Sequence, residues 1–165
     1  MKLKRVLVPV DFSRNSLDAL DYAVALGNAF NPEFVVLFAL EPLQFAVAGH
    51  AYGGAVPINI ESLVTEQRRM ARADLDDLQK RIARKKVKVR AILGSGAPYR
   101  VIVDTAKRLG ADLIVMGTHG RTGLTRFFMG SVAEMVARHA HCPVLTVRGQ
   151  HRRRGKRARR ARAAR

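Results

Sequence analysis

Three runs in this chain are apolar without a break: Val6 to Val10, Phe34 to Leu40 and Leu113 to Met116. Each is strand length, and none alternates polar with apolar residues. A strand with apolar side chains on both sides must be covered on both faces. Two further runs, 87–93 and 143–148, also read as strands, and 4–10 bounds the first. The segments between them carry helical spacing. Strands alternating with helices predict an α/β fold: an open five-stranded parallel sheet in three layers, with helices on both faces.

The punctuation supports this division. Ser13 suits the N-cap of a first helix carrying Leu17, Leu20, Ala23 and Val24, and Asn31-Pro32 ends it. Residues 43–59 read as a loop with three glycines and Pro57, either a lid, a partner surface or a plain connection. A long helix over 60–85 follows, with Val64, Ala71, Leu75, Leu78 and Ile82 on one stripe. Its basic last turn suits the negative helix end. Gly94-Ser95-Gly96 turns the chain, Pro98 opens a third helix through Leu109, and Gly110 closes it.

Charge is unevenly spread. Nine of the 30 basic residues lie in 151–165, where there is no acid. The remaining 21 against 13 acidic residues leave +8 of the total +17 for residues 1–150. We therefore expect one domain over 1–148 and a disordered basic tail over 149–165, since the tail has no apolar face to dock. The tail suits non-specific binding of nucleic acid or another polyanion, an acidic membrane surface, or plain solvation. It has no aromatic residue for base stacking. A lone cysteine, Cys142, excludes an internal disulfide framework and fits a cytoplasmic setting. No apolar run is long enough to insert in a membrane.

The fourth strand leads into the most informative stretch. Glycines stand at 117, 120, 123 and 130, and Gly130-Ser131 opens a helical pattern of Val132, Met135, Val136 and His139. Glycines let backbone N–H groups approach an anion, and a helix N-terminus leaves donors unpaired. Taken singly, each glycine reads equally as a turn or cap. The spacing G-x2-G-x9-G-S is neither the lysine-bearing P-loop nor the G-x-G-x-x-G dinucleotide fingerprint. Arg121, Thr122, Thr125 and Arg126 share the loop, as phosphate partners or as solvated surface. His139, His141 and Cys142 look metal-like but straddle a helix end and a strand start, without a second ligand cluster; no metal site is expected. A Ser-His-Asp set is not supported, and no catalytic residue is assigned.

With GTHGRTGL, GSVAE and HCPVLTVR around those glycines, the chain resembles the universal stress protein family over about residues 3–148. The resemblance implies strand order 3-2-1-4-5, with a ligand crevice where the chain order reverses, between strands one and four. It implies a site for ATP and Mg2+. Gly117, Gly120, Gly130, Ser131 and Val132 would surround the phosphates, with Arg121 nearby. Asp11 would lie by the ribose or the metal, its other reading being a cap for the first helix, with Pro9 and Val10 close by. Ala39 would meet the adenine through its backbone. Met116, just before the first glycine, reads either as a surface for the base or as plain core. Phe38-Ala39 stands where many members have His-Val. The family further implies a homodimer through strand 143–148, whose Val144, Leu145 and Val147 form an adhesive edge.

The expected function is a nucleotide-dependent regulator or sensor of the stress response. The alternatives are a slow ATPase or autophosphorylating enzyme, a polyanion-associated protein acting through its tail, and a member with a vestigial site.

Overall fold

The apolar runs form five strands in a computed structural model that describes residues 3–27, 29–41, 60–118 and 130–148. They are β1 (Arg5–Pro9), β2 (Glu33–Leu40), β3 (Lys88–Ser95), β4 (Leu113–Gly117) and β5 (Val144–Val147). Four helices intervene: α1 (Arg14–Gly27), α2 (Ile60–Ala83), α3 (Pro98–Leu109) and α4 (Ser131–His139). The sheet order is β3-β2-β1-β4-β5, and every pairing is parallel. The expected fold and strand order are both present.

The absence of alternation in the strands has a direct cause. Val6 and Val8 of β1 pack with Phe34 and Val36 of β2, Leu20 and Val24 of α1, and Leu75, Leu78 and Ile82 of α2. The intervening residues, Leu7, Val35 and Leu37, pack with Ile114, Met116, Ile102 of α3 and Val136 of α4 on the other face. Both sides of each central strand are therefore dry, and truncating a large buried side chain in such a layer costs about 2–5 kcal/mol.

The strand ends are tied by polar contacts. Asp112 sits just before β4, and its Oδ2 accepts hydrogen bonds from the Lys4 and Arg5 N–H groups, each at 2.8 Å. The Asp112 N–H in turn donates to the Arg5 carbonyl at 2.9 Å, so the entries of β1 and β4 are aligned. Gly110 ends α3 at φ 59°, ψ 50°, its N–H returning to the Ala106 and Lys107 carbonyls. Only a residue without a Cβ takes that left-handed cap cheaply.

Most boundaries shift by a residue or two, α2 ending at Ala83 for instance, and the end of β3 shifts for a clear reason. The sequence places a turn at Gly94-Ser95-Gly96, but β3 continues through Ser95 because β2 still pairs with it, Ala39 opposite Gly94 and Leu40 opposite Ser95. The turn comes at Gly96, whose N–H donates to the Leu40 carbonyl at 3.0 Å. Strand order reverses at β1, which has β2 on one side and β4 on the other. The carboxyl ends of these three strands open on a single crevice, the usual ligand position in such a sheet.

Candidate functional site

The crevice is a cleft of about 510 Å³. Its floor is the C-terminal ends of β1, β2 and β4: Pro9, Val10 and Asp11, then Phe38 to Glu41, then Met116, Gly117 and Thr118. Gly130, Ser131, Val132 and Ala133 at the start of α4 form one wall, and Pro98, Ile102 and Gln67 close other sides. Nine residues named from the sequence, Pro9, Val10, Asp11, Ala39, Met116, Gly117, Gly130, Ser131 and Val132, thus line one cavity. Gly120 and Arg121, with His119, Thr122, Thr125 and Arg126, lie outside the described residues, as do loop 43–59 and tail 149–165.

Two backbone hydrogen bonds tie the start of α4 to the sheet. The Thr118 N–H donates to the Val147 carbonyl at 3.1 Å, and the Gly130 N–H donates to the Thr118 carbonyl at 2.8 Å. This refines the expectation for Gly130: its N–H is engaged by the Thr118 carbonyl. Gly130 is the N-cap, extended at φ −61°, ψ 147°, with no side chain to cap the helix. The first helical bond runs from Glu134 N–H to the Gly130 carbonyl at 3.0 Å. The N–H groups of Ser131, Val132 and Ala133 precede it and have no helical acceptor, and the dipole adds partial positive charge. Such an end favours an anion.

Gly117 has a steric role that its motif position did not reveal. A Cβ there would stand 3.1 Å from the carbonyl carbon and oxygen of Asn15 in the first turn of α1. A side chain there would push the Asn15 backbone by a few tenths of an ångström, so glycine suits the close approach of β4 to α1.

Asp11 stands where the first strand turns into α1. Its Oδ1 accepts the Ser13 N–H at 2.9 Å, shaping the turn into α1, while the residue also lines the cleft. Ser13 is the expected N-cap: its Oγ accepts the Ser16 N–H at 3.3 Å. The buried Ser16 hydroxyl donates to the Ser13 carbonyl at 2.9 Å and accepts the Asp11 N–H at 3.3 Å. Between them Phe12 sits at φ 61°, a conformation that strains a bulky residue, with its ring edge-on to Phe38 at 5.1 Å. Burial alone pushes the Asp11 carboxyl up. Hydrogen bonds from the Ser13 and Ser16 side chains, joined by backbone N–H donors, outweigh that and hold it below the ordinary aspartate value.

The His-x-His-Cys run disperses. His139 Nδ1 lies 2.8 Å from the Met135 carbonyl on its own helix, and burial, with the Asp112 charge second, raises the Cys142 thiol. Among the described residues no three His, Cys, Asp or Glu side chains gather in a way that could hold a metal. No helix of the described residues is long and apolar enough to cross a membrane.

A family model, the universal stress protein family, matches residues 2–148. The chain belongs to the universal stress protein family. Among its relatives, universal stress protein MJ0531 of Methanocaldococcus jannaschii is 36% identical over 145 residues, covering 88% of this chain and 82% of that one. Hypothetical protein MJ0577, from the same organism, has a solved structure that superposes with a TM-score of 0.77 at 26% identity, covering 92% of this chain and 99% of its own. A universal stress protein solved in complex with cAMP superposes with a TM-score of 0.65 at 26% identity, over 91% of this chain and 100% of that one.

Of the lining residues not named as site residues from the sequence, Ser16, Thr118 and Gln67 show why. Ser16 was hidden because two serines three apart look like ordinary capping. Thr118 acts through its backbone, which no side-chain pattern reports. Gln67 carried a visible signal, since it stands four residues before Ala71 on the apolar stripe of α2.

A folded-state pKa below the unfolded one makes the unfolded chain bind more protons between the two values. The Asp11 contribution is therefore complete above the unfolded value of about 3.9 and is lost as pH falls through the folded value. The stability gap between wild type and Asp11→Asn, measured by urea unfolding from pH 6 to 3, narrows below about pH 4; a gap constant with pH contradicts the assignment.

Proposed function

We propose that this universal stress protein binds ATP with Mg2+ in the cleft and acts as a nucleotide-dependent regulator of the stress response. The observation that carries the reading is the start of α4: three backbone N–H groups without helical acceptors, and no side-chain cap, on the wall of a cleft at the carboxyl ends of the strands. The family member solved with cAMP supports an adenine nucleotide as the ligand class.

In this reading the phosphates sit against Ser131, Val132 and Ala133, with Gly120 and Arg121 contributing from the segment that Thr118 and Gly130 bracket. The base lies toward Ala39, with Met116 beneath it, and the ribose lies between them near Pro9, Val10 and Asp11. Mg2+ suits the donor set as an ion carried by the phosphates. The Asp11 carboxylate keeps its charge at neutral pH and would hold such an ion through water. The ion would neutralise phosphate charge. Thr118 and Gly130 line the cleft, and a partner that reads their surroundings would sense an occupied site.

Ser131→Asp tests the phosphate end. A carboxylate in the first turn suits the helix dipole, by about 0.3–1 kcal/mol, but repels a triphosphate. The variant keeps its unfolding temperature without ligand and binds ATP with Mg2+ about tenfold or more weakly by calorimetry. Unchanged affinity contradicts the placement.

The reading includes a homodimer. β5 is an edge strand of the sheet, and its Val144, Leu145 and Val147 are only half-buried within one chain. Light scattering at micromolar concentration gives twice the 18.3 kDa chain mass; a monomer throughout that range contradicts pairing.

A further inference from the structure

The core-facing stripe of α2 runs Ile82, Leu78, Leu75, Ala71, all buried. One turn further toward the N-terminus the same stripe carries Gln67. Its Oε1 is shielded from solvent and accepts no hydrogen bond among the described residues. One other shielded side-chain atom there lacks a hydrogen bond, Arg90 Nε, but it lies 2.8 Å from Glu33 Oε1 and has its charge partner. Shielded amides in folded proteins have partners, and one without any is destabilising. A plain core position here would be apolar.

Gln67 lines the cleft beside Phe38, Ala39, Leu40 and Glu41, at the end of β2. β2 is two strands from β4, about 10 Å across the sheet. Phosphates at the start of α4 would therefore leave the base at the β2 side, where Gln67 stands. A glutamine amide offers an acceptor and two donors on one planar edge, and it pairs with an adenine through the exocyclic amino group and the neighbouring ring nitrogen. The terminal amide torsion is soft, so the group turns into the cleft at little cost.

We propose that Gln67 reads the polar edge of the nucleotide base and makes the cleft selective for a 6-aminopurine. Oε1 accepts the 6-amino hydrogen, and Nε2 donates to the adjacent ring nitrogen. This rests on the nucleotide reading of the cleft and adds to it the residue that chooses the base.

The test uses the full chain and two ligands that differ in one group: ATP, and purine riboside 5′-triphosphate, which lacks the 6-amino group. Calorimetry with Mg2+ gives wild type a preference for ATP of about tenfold. Gln67→Leu brings the preference close to one, and Gln67→Met, which keeps an unbranched chain, does the same. Without nucleotide both variants unfold at or above the wild-type temperature, because an apolar residue completes the stripe. ATP binding with the preference unchanged in both variants overturns the inference and leaves the nucleotide reading standing. A lowered unfolding temperature with the preference intact makes Gln67 a structural residue and also overturns it. Binding of neither triphosphate to wild type removes the nucleotide reading, and this inference with it.

Discussion

The cleft depends on two backbone hydrogen bonds through one residue. Thr118 donates its N–H to Val147 on β5 and accepts the Gly130 N–H with its carbonyl. The first bond extends the β4–β5 ladder by a residue, and the second closes the chain back on itself after an excursion of eleven residues. Whatever lies between, α4 must start beside the end of β4. Its N-terminal N–H groups are then aimed by the sheet, which is buried on both faces and has little freedom to shift. Gly117 completes the arrangement on the opposite side, where the end of β4 comes close to the Asn15 backbone with no Cβ to displace it.

The other half of the cleft is built from side chains. Asp11 shapes the turn into α1 through Ser13, while Ser16 ties the hydroxyls of that turn to the backbone. The same donors that shape the turn keep the carboxylate charged, so one small network sets both backbone path and electrostatics. Phe12 stays in its strained conformation because the turn on both sides is bonded and its ring rests on Phe38. The result is a cleft with an anion-favouring helix end at one side, a carboxylate near the middle and an amide at the other.

Much of this was legible in the sequence, for physical reasons. Continuous apolar runs mean two covered faces, and Val6 and Leu7 do bury on opposite ones. Ser13, Pro98 and Gly110 punctuate helices because their backbone and side-chain chemistry allows little else. Sequence patterning alone left strand order open; order 3-2-1-4-5 came from resemblance, and the parallel pairings carry it. Nine proposed site residues meet in one cleft because motif positions at strand ends inherit the geometry of the sheet.

What was not legible acts through backbone or through shielding. The motif reading took Gly130 as an anion donor, yet its N–H serves Thr118, leaving the three residues after it as the available donors. Gly117 looked like a phosphate glycine, and its packing against Asn15 needs coordinates to be seen. The turn placed at Gly94 moved to Gly96 because pairing with β2 outlasts the local turn signal. Gln67 was readable as a polar break in an apolar stripe, but whether such a break faces solvent, a partner or a cavity is decided by tertiary packing.

The central claim is that a nucleotide spans the cleft from the start of α4 to the end of β2. Its most direct measurement is a titration of labelled protein with ATP and Mg2+, followed by backbone and side-chain amide resonances. The account predicts the largest shifts at Ser131, Val132 and Ala133, with accompanying shifts at Ala39 and the Gln67 side-chain amide. Lys4, Glu33 and Lys88, at the opposite ends of the strands, should stay in place. Shifts confined to those residues, or to the basic tail, would contradict it.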